Sequence, residues 1–195
     1  MNEEEISGKE IVYKTIGEVT LRLHVFEPPP QTQRPAPTLV FFFGGGWVTG
    51  QPKQFFPQCR YLASRGMVAV SAEYRVRDRH GTTPFESVAD GKSAVRWLRA
   101  HADALGVDRH RVAAGGGSAG GHVAACTGII PGYESPGADT SISSVPDGLA
   151  LFNPAVDTTA ERISERFDGR GRSSRRFGTC AQARRLRSSS TAGRI

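Results

Sequence analysis

The sequence predicts an α/β fold, a mostly parallel sheet with helices on both faces. Three observations carry that expectation. Short apolar runs alternate with helix-period segments from residue 38 to about 152. Two of those runs end in glycine clusters, FFFGGG at 41–46 and AAGGGSAGG at 113–121, where parallel sheets place their sites. The chain has 195 residues, enough for one domain with a sizeable core.

The elements follow in order. Ile11–Tyr13 and Thr20–Phe26 alternate apolar and polar residues, as the half-buried strands of an edge hairpin do. Pro28–Pro37 is a proline-rich connection. Thr38–Phe43 is a continuous apolar run, hence a buried strand. Phe55–Arg65 has helical period and stops at Gly66. Met67–Tyr74 reads as a second buried strand. Pro84–Leu105 reads as one long amphipathic helix, with Val88, Ala94, Val95 and Leu98 on its apolar face and Gly106 at its end. Arg111–Ala114 is a short strand, Ser118–Gly128 a helix of small residues, and Asp147–Phe152 a last strand. There is no internal repeat.

Composition narrows the function classes. The net charge of +6 is concentrated at one end: residues 169–195 hold eight arginines and no acid. Residues 1–168 carry 17 basic and 19 acidic side chains, a net of −2, which gives no nucleic-acid footprint. No stretch approaches the roughly 18 apolar residues of a membrane span. The acidic start MNEEEISGKE lacks the form of a secretory signal, so the expected location is cytoplasmic. Cys59, Cys126 and Cys180 lie far apart without zinc-ligand spacing, so no metal is expected.

Residues 113–126, AAGGGSAGGHVAAC, pose the functional question. Five glycines cost about 1 kcal/mol each against alanine in a regular element, so the backbone there must need them. Residues 116–120 fit G-x-S-x-G between an expected strand and an expected helix. That context describes a serine on a strained turn, its hydroxyl pointing away from the sheet. Gly116 and Gly120 then make room beside Ser118, and Gly117 and Gly121 allow close helix packing. The helix N-terminus favours developing negative charge. A phosphate loop would need Gly-Lys-Ser/Thr, and this stretch has no lysine. A dinucleotide fingerprint would open the first βαβ unit, and these glycines come late. The glycines at 44–46 follow another strand of the same sheet. They let backbone N–H groups of Gly44 and Gly45, with that of Ala119, converge as an oxyanion hole.

These motifs, with YRV at 74–76 and DGKSAVRWLRAHADALGVD at 90–108, resemble the α/β-hydrolase fold. More narrowly they are similar to the hormone-sensitive-lipase and acetyl-esterase branch, which includes feruloyl-esterase-like and acetyl-xylan-esterase-like members. The likeness covers roughly residues 10–160. It implies a carboxylic ester hydrolase in which Ser118 attacks an ester carbonyl and Gly44, Gly45 and Ala119 hold the oxyanion, with no metal or organic cofactor and a small-molecule ester as substrate. It also implies an acid and a histidine base after the last strand seen here, with further strands and a C-terminal helix. The family histidine before the glycines is Phe43 in this chain.

None of the five histidines is a natural stand-in for that base. His122 lies one helical turn below Ser118. His24 sits on an edge-hairpin strand, His101 ends a helix, and His110 precedes a strand at the opposite edge of the sheet. His80, in a loop leaving a strand's carboxyl end, alone could reach the site. Asp157 is read as a turn or cap residue. The expected organisation is a partial hydrolase domain over 1–168 and an arginine-rich tail over 169–195. A shift of codon frame from Ser174 onward permits Leu-Val-Phe-His-Gly-x-Ala-Asp, a strand with an acid-bearing turn, so the tail is expected to be a frameshifted translation starting near Arg172. The expectation is therefore an inactive or weakly active esterase with an exposed sheet edge at the last strand. The alternative is a non-catalytic binding protein that keeps the hydrolase half-fold.

Overall fold

The computed structural model describes residues 7–158, 163 and 165–167. Its strands are β1 (Lys9–Ile16), β2 (Val19–Phe26), β3 (Ala36–Phe42), β4 (Val68–Ala72), β5 (Val107–Gly117) and β6 (Gly148–Phe152). They form one sheet in the order β1-β2-β4-β3-β5-β6. β1 and β2 make the expected antiparallel hairpin, and β2 pairs antiparallel with β4. β4, β3, β5 and β6 run parallel. β3 and β4 are buried along almost their whole length, which explains their unbroken apolar runs. Among the described residues β6 pairs with β5 alone, and its Leu149 and Phe152 are 44% and 52% exposed.

The helices are α1 (Phe56–Ser64), α2 (Arg77–His80), α3 (Pro84–Ala100), α4 (Ala102–Leu105) and α5 (Ala119–Ile129), with short 3₁₀ turns at Pro52–Phe55 and Glu165–Phe167. They cover both faces of the sheet: α1 packs on β4, while α3 and α5 pack on each other and on β5. Val88, Ala94, Val95 and Leu98 of α3 are fully buried, as their spacing predicts. The helix opens at Thr83, whose N–H donates to the Glu86 carboxylate at 2.8 Å.

Three boundaries differ from the sequence reading. The segment 84–105 is two helices, because the chain leaves helical geometry at His101 (φ −106°, ψ 20°), whose ring stacks on Trp97. β5 extends from Val107 through Gly117, well beyond 111–114, so His110 lies within the strand. Its terminal glycines have low strand propensity, yet Gly115 and Gly116 pair with Phe41 and Phe42 of β3. The helix after Ser118 starts at Ala119, which leaves Ser118 as its N-cap. Residues 169–195 lie outside the described residues, and so do Cys180 and the expected frameshift.

Candidate active site

The site follows from sheet register. β3 and β5 are parallel neighbours with Phe42 opposite Gly116, so the loops after them emerge side by side at the carboxyl edge. Ser118 leaves β5 with φ 51° and ψ −116°, a backbone conformation that L residues rarely adopt. The side chain is exposed. The turn is held by its backbone. The Ser118 N–H donates to Phe152 O at 3.0 Å, and its carbonyl accepts from the N–H groups of His122 and Ala155 at 3.1 and 3.0 Å.

Neighbouring glycines are required by space. A Cβ on Gly116 would overlap the Phe42 carbonyl oxygen and lie 2.6 Å from the Gly120 carbonyl carbon. One on Gly120 would overlap the carbonyl oxygens of both Phe42 and Phe43. Gly121 is nearly as confined, with Gly116 O at 2.9 Å, whereas Gly117 faces only ordinary contact with Phe55 at 3.6 Å. These close approaches press α5 onto the end of β3 and aim its N-terminus at Ser118.

The loop after β3 comes from the other side. Gly44 is buried, and a Cβ on it would lie 3.6 Å from Ser118 Cβ. Its N–H, expected as an oxyanion donor, is engaged: it donates to Gln54 Oε1 at 2.6 Å. Gly45 has φ 138°, and its carbonyl accepts from the N–H groups of Val48 and Thr49, both at 3.1 Å. Among the described residues, the N–H groups of Gly45, Gly46 and Ala119 have no acceptor. Phe43, in the position of the family histidine, is a core residue. Its ring stacks on Tyr74 at 4.2 Å between centroids, and its carbonyl accepts from the Tyr74 hydroxyl at 2.6 Å.

The histidines are accounted for elsewhere. His122 is fully buried on α5, edge-on to Trp47 and 3.4 Å from Cys126 Sγ, and burial pushes its pKa down to about 3. His80 lies in the one-turn helix α2 rather than a loop, where its Nδ1 accepts from the Val76 N–H at 3.0 Å, and burial lowers its pKa. His24 contacts Ser7 O, His101 contacts Trp97 O, and His110 is exposed on β5. None of the five hydrogen-bonds Ser118 Oγ. Asp157 lies in irregular chain after β6. Among the described residues no cluster of His, Cys, Asp and Glu could hold a metal ion, and no helix is long and apolar enough to cross a membrane. Sequence reasoning did not single out Gln54 or the hydroxyl of Tyr74. The signal available was Tyr74 of YRV, whose hydroxyl bond to Phe43 O leaves no mark in the sequence.

Several known proteins are similar to this chain in sequence and fold. Esterase LipC of Mycobacterium tuberculosis is 37% identical over 147 residues, which cover 72% of this chain and 36% of LipC. The probable carboxylic ester hydrolase LipM of the same organism is 35% identical, over 56% of this chain and 26% of its own length. Among solved structures, Thermogutta terrifontis esterase 2 phosphoramylated by tabun superposes with a TM-score of 0.77 at 46% identity, over 82% of this chain and 61% of that one. Its apo form gives 0.76 at 47% identity, over 82% and 62%. The chain thus spans about a third of the length of these curated relatives and about three fifths of the solved structures. The BD-FAE family model matches residues 23–147, and the chain belongs to that family, with an α/β-hydrolase fold.

Proposed function

We propose that this chain performs acyl transfer from small carboxylic esters through Ser118. The observation that carries the reading is the exposed serine held at φ 51° between β5 and α5, beside the glycine loop. In the proposed reaction Ser118 Oγ bonds to the ester carbonyl carbon as the C=O π pair moves onto oxygen. The N–H groups of Gly45 and Ala119, with that of neighbouring Gly46, receive the oxyanion; each such donor is worth about 3–4 kcal/mol in the transition state. Gly44 serves by close approach, since Gln54 holds its N–H. Collapse of the oxyanion breaks the bond to the alcohol, which leaves with a proton, and water later cleaves the acyl-serine.

The hydroxyl proton has no histidine acceptor among the five, so it passes to water and turnover is slow. A subtilisin stripped of its triad loses roughly 10⁶-fold in kcat and keeps about 10³–10⁴ over water. The relatives support the chemistry: they bear the names esterase and carboxylic ester hydrolase. Thermogutta esterase 2 is described as phosphorylated by paraoxon and, in other crystals, as bound to propionate or butyrate, which favours short acyl groups here. The reading includes no metal, organic cofactor or nucleic-acid partner, and a cytoplasmic location. The test is alcohol release from a nitrophenyl butyrate. The expected trace is a slow, linear release above the buffer rate that is lost in Ser118→Ala. A trace unchanged by that substitution would overturn the reading in favour of a binding protein.

A further inference from the structure

Resting on that reading, we propose that Tyr74 and Gln54 are positioning residues that hold one peptide group of the glycine loop from both sides. The peptide joins Phe43 to Gly44. Its carbonyl accepts from the Tyr74 hydroxyl at 2.6 Å, and its N–H donates to Gln54 Oε1 at 2.6 Å. A peptide plane fixed at both poles cannot rotate about its flanking bonds, and the Gly45 carbonyl beyond it is held by the N–H groups of Val48 and Thr49, so the Gly45 and Gly46 N–H groups are confined between two anchored planes.

Both holding groups are themselves anchored. Tyr74 is fully buried, and its ring stacks on Phe43. Gln54 is exposed, but the turn that carries it is pinned on either side. Pro52 O accepts from the buried Ser71 hydroxyl at 2.8 Å, and Phe55 stacks on Phe41 of β3 at 4.7 Å. The clamp therefore connects three parts of the sheet edge: the end of β4, the end of β3 and the turn at 52–55. Gly44 sits at its centre, against Ser118. Neither side chain forms a bond with substrate in this scheme. Each acts through the backbone, and the cost of losing one is misaimed donors.

The test uses the full 195-residue chain and a fluorophosphonate in excess. Ser118 Oγ forms a bond to phosphorus as fluoride leaves and the proton passes to water, and intact mass gives the rate. Tyr74→Phe removes only the hydroxyl and keeps the stacked ring. Gln54→Met keeps length and removes the acceptor at an exposed site where folding is not at stake. Each is expected to slow the saturating rate about 10-fold with unchanged half-saturation, since displacement of about 1 Å costs up to ~10²-fold. Gln54→Glu, which keeps an acceptor oxygen, should retain half-saturation and lose less rate than Gln54→Met. Labelling of the wild type with equal rates in Tyr74→Phe and Gln54→Met would overturn the clamp and leave the nucleophile standing. A wild-type chain that does not label at Ser118 would overturn both.

Discussion

The two glycine clusters at the sheet edge use glycine for different reasons. In the loop after β3, Gly45 and Gly46 have φ of 138° and 65°, so they supply conformations that other residues avoid, and what crowds Gly45 is Thr49 O of its own turn and not a neighbouring strand. In the turn after β5, Gly116 and Gly120 have no such dihedral requirement, and the residue at positive φ is Ser118 itself. There glycine supplies room: the carbonyl oxygens of Phe42 and Phe43, at and just past the end of β3, occupy the places where side chains would begin. One cluster frees the backbone to present N–H groups, and the other lets two elements close on a strained side chain. Two identical-looking runs in the sequence thus carry different physical demands.

The difference can be broken by substitution. Gly120→Ala should have the largest effect, about 4 kcal/mol or more, or no folded protein, because the two overlapping atoms belong to backbone that cannot give way. Urea denaturation measures it. Next comes a shared background effect beneath the turn, at His122. Its folded pKa of about 3 lies below the ordinary 6.5, so the unfolded chain binds the extra proton between those values. Stability is fully present above pH 6.5 and falls as the pH drops toward 3, by a few kcal/mol. Denaturation in that window with His122→Leu should show a flatter profile than the wild type.

Gly45→Ala should cost about 2–3 kcal/mol, from its dihedral and from overlap with Thr49 O, less than Gly120→Ala because Thr49 is exposed in a loop that can shift where the end of β3 cannot, and should also slow reaction at Ser118. The smallest effect runs the other way. Ser118→Gly should stabilise the fold by about 1 kcal/mol, because glycine relieves the strain that serine bears, while ending acyl transfer. Ser118→Ala should end acyl transfer without that gain. If Ser118→Gly proved neutral or destabilising, the contrast between the two clusters would lose its basis.

Much of this was legible in the sequence. The buried runs at 38–43 and 67–74 announce β3 and β4 because both faces of those strands are covered. G-x-S-x-G announces the elbow because few other settings require glycines at both offsets. Other features left no pattern. The carboxyl end of β5 leaves no strand pattern because its last three residues are glycines, which join a strand only through their neighbours. Gln54 is an exposed amide in a turn, and nothing in its spacing betrays a bond to Gly44. The buried charges of α3 were also hidden by the reading of its apolar face. Asp90 is fully buried between Arg75 and Lys14, at 2.8 and 2.5 Å. Lys92 donates to Ile130 O, Gly132 O and Glu134 Oε1. An acid and a base inside an otherwise apolar face were the available signs that this helix ties the hairpin, the segment after β4 and the loop after α5 together.

The central claim is that strain and close packing expose one serine as a nucleophile. The most direct measurement is peptide mapping of the wild-type chain after exposure to a fluorophosphonate, beside Ser118→Ala. The account predicts a single adduct on the peptide containing Ser118, absent from the variant. An adduct on another residue, or one that survives in Ser118→Ala, would contradict it.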